Sequence, residues 1–393
     1  MPLSLDAAAA ALLSRVPGPQ SGRAGTERVA LHAAEGRVLA RPAAAATDLP
    51  RFPRSLVDGF AVRAAEAGRP LRLHGGVRMG EVAPRLPPGT AMPIPTGGML
   101  PDGADAVVMK EMAAAADGWL TAAVPVAAGA NLIPAAGDAA KGDVVVPAGR
   151  RLRPFEIAML ATAGLGEAEV WCRPTIAVLS SGDELDPPGT PPSGARVPDA
   201  NGPALMAALA RDGCAPAWAG VVRDDREAVA AAVARCLDVG PLVCTGGTSV
   251  GERDFVGQVL EDALGPPLFS RLAVRPGAPT AAFASGDRWA VALPGHPASA
   301  LLIYAFVAAP AVRLYAGERS AAPRPIAVAE LAADVRAPAD RELLARVRLD
   351  GGRAQPLAGP SAAVGHVASA DGVVRCPAGE LLRAGATVTV WLL

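Results

Sequence analysis

A glycine-rich segment with hydroxyl and acidic side chains follows a short apolar run in the middle of the chain. It reads Thr-Gly-Gly-Thr-Ser-Val-Gly-Glu-Arg-Asp over residues 245–254, directly after Leu242–Cys244. Glycines let backbone N–H groups turn toward an anion, and a following helix adds the positive end of its dipole. Ser249 can donate a further hydrogen bond, and the Asp254 carboxylate can bind a divalent metal. The pattern predicts a phosphate-binding loop, although a tight turn with Asp254 as helix cap explains it equally well.

Further acidic residues follow other predicted strands. Glu184 lies in Ser-Gly-Asp-Glu-Leu, at the end of the apolar run Ile176–Leu179. Carboxylates at a strand end suit metal binding, and a solvated turn is the alternative. Asn201 and Asp225 lie at two further turns, where each can cap a helix, and a cap is the favoured interpretation for Asp225.

Two arginines could bind an oxyanion. Arg271 and Arg275 flank a predicted strand, Leu272–Arg275, and positions four apart share one face of a strand. Two guanidinium groups on one face can hold an oxyanion through paired hydrogen bonds, whereas a solvent-facing basic edge is the simpler alternative. Leu-Pro-Gly-His-Pro over residues 293–297 precedes a long apolar helix, whose first turn offers a second anion site. His296 is more typical of a polar turn there than of a metal ligand.

Absent motifs exclude several enzyme classes. The chain has no Gly-x-x-x-x-Gly-Lys-Ser/Thr, no His-Glu-x-x-His and no Gly-x-Gly-x-x-Gly behind a strand, which argues against a P-loop kinase, a zincin and a Rossmann dehydrogenase. One rival motif is present, because residues 247–251 match the Gly-x-Ser-x-Gly elbow of serine hydrolases. An elbow helix begins almost at the serine, whereas here four residues, among them Glu252 and Arg253, separate Ser249 from the expected cap at Asp254. We therefore expect neither His296 nor His366 within hydrogen-bond reach of Ser249.

The order of predicted elements positions these loops. Strands and helices alternate over residues 174–320, which predicts a doubly wound, mostly parallel sheet whose ligands bind at the carboxyl ends of the strands. Proline and glycine break residues 46–139 into short apolar runs, and short runs return after residue 320, so both regions are predicted to be β structure. The predicted fold class is α/β plus β, in several domains.

Composition limits the possible partners and compartment. The 393 residues carry 37 basic and 38 acidic side chains, which gives no support for nucleic-acid binding or broad membrane binding. Five widely spaced cysteines without a Cys-x-x-Cys pair indicate a reducing cytoplasm and no structural zinc. No signal peptide is expected. The apolar stretch Ala298–Val312 is shorter than the ~20 residues of a membrane span.

Seven ordered blocks resemble the molybdopterin molybdenumtransferase family, which includes MoeA and the gephyrin E domain. The blocks are Ser55–Ala61, Pro95–Gly97, Ser181–Leu185, Asp199–Asn201, Gly246–Gly251 with Asp254, Arg275–Gly277 and Leu293–Gly295. One block alone would be weak, but their order and spacing across the chain are specific to the family.

The resemblance implies a four-part fold and an activity. An elongated linking domain would comprise residues 1–45 and 140–173, followed by an inserted β domain over 46–139, an α/β domain over 174–320 and a β-barrel-like domain over 321–393. The implied protein is a cytoplasmic homodimer with active sites between subunits. It would insert molybdate into the dithiolene of adenylylated molybdopterin, with Mg²⁺-dependent release of AMP, and would transiently contact the molybdopterin adenylyltransferase.

The resemblance also implies roles for particular residues. Glu184 and Asp254 would hold Mg²⁺. Catalysis would involve Asp254 and Arg275, together with Asp58 and Thr96 from the partner chain. Arg275, with Arg346 and Ser361, would bind molybdate beside the dithiolene, and Arg275 would be the main contact. The implied substrate-binding residues are Asp199, Asn201, Asp224, Gly246, Gly247, Ser249, Gly251, Arg271, Pro276, Pro294, Gly295 and Ser299, with Arg271 steering the phosphate.

The chain departs from the family at charged positions. Arg271, Arg275 and Ala278 stand where the family usually has lysine, and His296 stands where it has asparagine. Arginine keeps the charge but changes its geometry. Three alternatives therefore remain at this point: a weakened carrier or sensor on the same scaffold, a molybdopterin adenylyltransferase, and, more distantly, a serine hydrolase.

Overall fold

The first helix packs against residues that lie far away in the sequence. The computed structural model describes residues 1–19, 25–191, 193–247, 255–319, 326–359 and 364–393. Helix α1 spans Leu5–Leu13, and strands β1 and β2 span Thr26–Ala30 and Ala43–Ala44. Ser4 caps α1 by accepting a hydrogen bond from the Ala7 N–H at 3.2 Å. The buried face of α1 packs in the core of the α/β region. The bounds of the linking domain, including its limit at residue 45, remain a prediction.

Residues 46–139 contain the predicted β structure. The strands are β3 (Arg54–Ser55), β4 (Gly59–Val62), β5 (Leu71–Leu73), β6 (Thr90–Ile94), β7 (Ala106–Met109), β8 (Ala113–Ala116), β9 (Trp119–Ala122) and β10 (Leu132–Ile133). Six of them form one sheet in the order β7-β4-β6-β5-β9-β8, and β10 pairs with β3. Side chains alternate between two apolar clusters, one on each face of the sheet.

The chain then returns to its first strands. Strand β11 (Val144–Val146) pairs with β2, helix α2 spans Pro154–Thr162, and β12 (Glu167–Trp171) pairs with β1, both pairs antiparallel. A small core lies between these elements.

Glu156 holds the first turn of α2 together. Its carboxylate accepts hydrogen bonds from Arg153 Nη2 at 2.7 Å and Arg150 Nη2 at 2.7 Å, and from the Arg153 backbone N–H at 3.1 Å. These contacts, the Arg153 side chain first, lower the pKa of Glu156 from 4.5 to about 2. Because the folded pKa is depressed, the stabilisation is complete above pH 4.5 and is lost as the pH falls toward 2.

We predict that Glu156→Gln removes this pH dependence. At neutral pH the free energy of opening α2 should fall by about 2 kcal/mol, and it should no longer decline between pH 5 and pH 3. Hydrogen-exchange mass spectrometry of α2 peptides, corrected for intrinsic exchange rates, measures this. Glu167→Gln is the matched control, since Glu167 is 57% exposed and only 3.9 Å from Arg28. An unchanged pH dependence in Glu156→Gln would contradict the interpretation.

The α/β region is a doubly wound sheet, as predicted. Its elements are β13 (Thr175–Ser181), β14 (Leu185–Asp186), β15 (Val197–Pro198), α3 (Asn201–Arg211), β16 (Ala215–Val222), α4 (Arg226–Val239), β17 (Leu242–Thr245), α5 (Phe255–Leu264), β18 (Val274–Arg275), β19 (Ala281–Ser285), β20 (Arg288–Leu293), α6 (Pro297–Ile303) and, after a π-helical turn at Tyr304–Ala308, α7 (Ala309–Tyr315). The sheet order is β16-β13-β17-β20-β19, with only the edge strand β19 antiparallel. Alternate side chains of β13 enter two cores, one with α1, α3, α6 and α7 and one with α4 and α5.

The helical run Pro297–Tyr315 is a core element. It is the one candidate membrane span by length and composition in the described part of the chain, and 72% of its most apolar stretch is buried inside the protein. A buried helix of a folded core meets the same criteria.

The last region is a closed barrel. Its elements are β21 (Ile326–Leu331), β22 (Val335–Arg336), β23 (Glu342–Asp350), β24 (Arg353–Pro356), α8 (Val364–Ala368), β25 (Gly372–Cys376), β26 (Leu381–Leu382) and β27 (Thr387–Leu392). Strand β23 pairs with both β24 and β25, and the order β24-β21-β27-β25 closes the circle. Leu344 and Val373 point out of the barrel into the α/β core, which fixes the two regions against each other.

Candidate active site

A large cleft lies where the carboxyl ends of the parallel strands face the barrel. Its volume is about 1780 Å³. Many of the residues predicted for the site line it, namely Glu184, Asp199, Asn201, Asp224, Gly246, Gly247, Arg275, Pro276, Pro294, Gly295, Ser299 and Arg346. The topology explains this convergence, because the loops after β13, β16, β17 and β20 leave the same edge of the sheet.

The glycine loop passes close to the end of β13. Gly246 and Gly247 have φ values of +86° and +59°. A Cβ at Gly246 would lie 2.0 Å from the Ser181 carbonyl oxygen, so no larger residue fits there without moving the loop. Of the other predicted loop residues, Ser249, Gly251 and Asp254 lie outside the described residues, so the serine-hydrolase geometry stays untested.

Acidic side chains lie at the neighbouring strand ends. The Ser181 hydroxyl donates to Asp224 Oδ1 at 2.7 Å, and both residues line the cleft. Glu184 also lines it, with its carboxylate against the backbone of Gly182. Asp225 points away and caps α4 by accepting from the Ala228 N–H at 2.9 Å, which confirms the cap interpretation. Within the described ranges no group of three or more His, Cys, Asp or Glu is arranged to hold a metal.

Two buried acceptors lie at the start of α3. Asp199 Oδ1 accepts from the N–H groups of Asn201 at 2.9 Å and Gly202 at 3.2 Å, so Asp199 binds the first turn and Asn201 is not the cap. The Asn201 amide donates to the Gly295 carbonyl oxygen at 2.7 Å. Asp199 Oδ2 and Asn201 Oδ1 are buried and have no hydrogen-bond partner among the described atoms. A donor group placed beside them would satisfy both oxygens.

Arginine side chains form the basic side of the cleft. Arg346 is 7% exposed; its Nη2 donates to the Gly359 carbonyl oxygen at 2.6 Å, and its Nη1 has no partner in the described structure. Burial lowers the pKa of Arg346 from its ordinary value. Arg275 is exposed on β18, and Gly277 just after it approaches Ile303 so closely that a Cβ would lie 2.3 Å from its side chain. A buried guanidinium without a carboxylate partner among the described residues is costly to a folded protein, and an anion bound in the cleft would offset that cost.

One local prediction was wrong. The expected strand Leu272–Arg275 is shorter, since only Val274–Arg275 forms β18, and it pairs with β23 of the barrel instead of the α/β sheet. Arg271 is exposed and does not line the cleft, although its carbonyl accepts from the Leu3 N–H at 3.0 Å. The two arginines therefore do not share one strand face.

Asp58 and Thr96 meet each other away from this cleft. Asp58 Oδ1 accepts from the Thr96 N–H at 2.7 Å and from its hydroxyl at 2.9 Å. These hydrogen bonds, the backbone one first, lower the pKa of Asp58. Antiparallel pairing of β4 with β6 brings the two residues together, and neither lines the cleft. Ser361 lies outside the described residues.

Sequence reasoning missed part of the barrel wall. Arg336 and Arg341 also line the cleft, and Arg341 forms a fork with Asp340 at 2.9 Å and 2.5 Å. No motif marks them, because their position depends on how the barrel packs against the α/β region.

Comparison with known families accounts for nearly the whole chain. Residues 3–164 match the "MoeA N-terminal region (domain I and II)", residues 177–314 the "Probable molybdopterin binding domain", and residues 328–393 the "MoeA C-terminal region (domain IV)". The chain belongs to the MoeA family of molybdopterin molybdenumtransferases. It is therefore a transferase of molybdenum cofactor biosynthesis.

Individual relatives agree with this assignment. The chain is 31% identical over 322 residues to a molybdopterin molybdenumtransferase of Haemophilus influenzae, covering 81% of this chain and 78% of the relative. A Staphylococcus aureus relative of the same name is 29% identical, covering 93% and 90%. A solved MoeA protein from Pyrococcus horikoshii superposes with a TM-score of 0.75 at 31% identity, covering 100% and 99%. MoeA-family membership supports the transferase over the hydrolase, adenylyltransferase and carrier alternatives.

Proposed function

We propose that this chain transfers molybdenum from molybdate to the dithiolene of adenylylated molybdopterin and releases AMP. In this reaction molybdate loses one oxygen as water when the two dithiolene sulfurs bind, and water cleaves the phosphoanhydride. The observation that carries the proposal is Arg346, a buried cation that lines the same cleft as the glycine loop and has an N–H without a partner among the described residues. A site of this kind binds anions at two places, one at the loop and one at the arginines.

The glycine loop and the start of α3 would hold the substrate. Backbone N–H groups of Gly246 and Gly247 would bind the phosphate, together with Ser249 and Gly251. A pterin ring carries N–H donors, and these match the Asp199 and Asn201 oxygens that have no partner among the described residues. Pro294, Gly295 and Ser299 complete the wall at the start of α6.

Magnesium fits the acidic strand ends. Mg²⁺ is commonly bound by one or two carboxylates together with substrate phosphate oxygens and water, so a three-carboxylate cage is not required. Glu184, with Asp254, would hold the ion, and Asp224 lies on the same edge. When bound, Mg²⁺ would neutralise charge on the phosphoanhydride. Asp224 is itself held by the hydrogen bond from the Ser181 hydroxyl.

Arginines would bind the molybdate dianion. Arg275 and Arg346 approach the cleft from β18 and β23, and Ser361 would add a hydroxyl. A guanidinium stays protonated at any physiological pH and can donate two parallel hydrogen bonds to one oxyanion. Arg271 lies outside the cleft wall, so it would influence the phosphate only through long-range attraction.

Asp58 and Thr96 would act on the cleft of a second copy. Their pairing on the inserted β region, away from the cleft of their own chain, supports a homodimer in which each subunit completes the other's site. The substrate would come from a molybdopterin adenylyltransferase by transient contact. A cytoplasmic location fits five free cysteines, four of them buried.

Molybdate-dependent AMP release tests this function. Purified protein with adenylylated molybdopterin and Mg²⁺ should release AMP faster as molybdate is added, under anaerobic conditions. Sulfate has the same shape and charge but is not attacked by thiols, so it should bind competitively and slow the reaction. AMP release that does not respond to molybdate would contradict the proposal, and pterin retention without AMP release would favour the carrier alternative.

A further inference from the structure

Arg375 connects three parts of the molecule. It lies on β25, and its Nη1 and Nη2 donate to the two carboxylate oxygens of Asp6 at 2.8 Å and 2.9 Å. Its Nε and Nη2 donate to Glu342 at 2.5 Å and 3.2 Å. Its guanidinium carbon lies 5.9 Å from the centroid of the Phe306 ring. The side chain thus joins α1, strand β23 and the π-helical turn before α7.

The segment that carries Arg275 lies between two of these partners. The Leu3 N–H donates to the Arg271 carbonyl at 3.0 Å, and the Ala273 N–H donates to the Leu3 carbonyl at 2.7 Å. On the other side the Glu342 N–H donates to the Ala273 carbonyl at 3.0 Å, and β18 pairs in parallel with β23. The segment is therefore held by the N-terminus on one edge and by the barrel on the other.

The position of Arg346 depends on β23, the strand that also carries Glu342. Glu342, Leu344 and Arg346 share one face of β23, because alternate residues of a strand point the same way. Arg375 is the cross-strand neighbour of Leu344, which packs into the α/β core. Strand β23, which carries Arg346, is thus fixed close to the point where it pairs with β18, which carries Arg275.

We propose that Asp6, Arg375 and Glu342 are positioning residues that fix Arg275 relative to Arg346, so that one molybdate ion contacts both guanidinium groups. The inference rests on the proposed function and adds residues that do not touch the substrate, since none of these three described side chains lines the cleft. Asp6 is the accessible member of the set, with its side chain 78% exposed. An exposed ion pair contributes little to folding, so Asp6 can be changed without unfolding the protein.

Asp6→Asn tests the positioning role. The molybdate concentration for half-maximal AMP release should rise about 5-fold to 20-fold, because even a ~1 Å misplacement of a contact can cost ~100-fold. The rate at saturating molybdate and the half-saturating concentration of adenylylated molybdopterin should change less than about 2-fold. Arg375→Lys, which keeps the charge but loses the fork to both Asp6 and Glu342, should raise the same quantity at least as much.

A second readout is independent of activity. Hydrogen exchange of peptides covering residues 268–277 should be faster in Asp6→Asn, because the Leu3 contacts loosen. Glu330→Gln is the matched control, since it breaks a barrel ion pair of 3.5 Å with Arg353 away from the cleft, and it should change neither readout.

Each outcome decides the proposal. Faster exchange together with a raised molybdate requirement supports it. An unchanged molybdate requirement overturns it, whatever the exchange shows, provided that the wild type responds to molybdate. If AMP release by the wild type does not depend on molybdate, the proposed function fails. In that case faster exchange in Asp6→Asn still supports the claim that Asp6 restrains the Arg275 segment. Unchanged exchange would overturn that claim as well.

Discussion

Arg346→Met should raise the molybdate concentration needed for half-maximal activity while making the folded protein more stable. Arg346 lines the cleft and has a buried N–H without a partner in the described part of the chain, and methionine replaces the guanidinium by an apolar group of similar length. Loss of a charged hydrogen-bonding partner costs about 1.5 to 3 kcal/mol, so the half-saturating molybdate concentration should rise about 10-fold to 150-fold. Removing a buried unpaired charge should raise the unfolding free energy by about 1 kcal/mol or more. Molybdate titration of AMP release and thermal unfolding without ligand measure the two effects.

Arg348→Met is the matched control for this prediction. Arg348 lies on the same strand, is exposed and does not line the cleft. It should leave both quantities nearly unchanged. If Arg346→Met instead destabilised the fold and left the molybdate requirement unchanged, Arg346 would be a structural residue and the assignment of the oxyanion site would be wrong.

Gly246→Ala should abolish most of the activity. The new methyl group would lie 2.0 Å from the Ser181 carbonyl oxygen, so the loop must move away from the end of β13. A loop displaced by ~1 Å no longer aims its N–H groups at the phosphate, and such misplacement typically costs ~100-fold in rate. The dissociation constant for adenylylated molybdopterin should rise with it, since the substrate phosphate binds at this loop.

Gly286→Ala separates backbone strain from loop displacement. Gly286 has φ of +60° in the hairpin between β19 and β20, and a Cβ there would meet nothing within 4 Å. Both alanine variants carry the cost of a left-handed backbone, roughly 1 to 2 kcal/mol, but only Gly246→Ala moves the loop. Equal losses of activity in the two variants would show that general destabilisation, and not the phosphate loop, explains the effect.

Local patterns predicted most of the fold. The alternation of apolar runs and amphipathic segments after residue 174 identified the doubly wound sheet, because buried parallel strands and their helices leave strong periodic signals. The acidic residues and glycines at strand ends were placed in the cleft for the same topological reason. The family resemblance added the closed barrel, which short apolar runs alone indicated only as β structure.

Features that depend on distant contacts were not predictable. Strand β18 pairs with β23, almost seventy residues later, so the local sequence overestimated its length and misassigned its sheet. Helix α1 packs its buried face in the α/β core, a contact that no local pattern indicates. Arg336, Arg341 and the Asp6–Arg375 pair are likewise brought to their places only when the barrel docks, and no spacing in the sequence encodes that.

The molybdenum content of the pterin product tests the central claim most directly. After a single turnover with adenylylated molybdopterin, Mg²⁺ and molybdate, the product would be separated without oxygen, and its molybdenum would be measured against the AMP released. The proposed transfer predicts equal amounts of pterin-bound molybdenum and AMP, with both falling together in Arg346→Met. AMP without pterin-bound molybdenum would show that the cleft hydrolyses the anhydride and transfers no metal, which would contradict the proposed function.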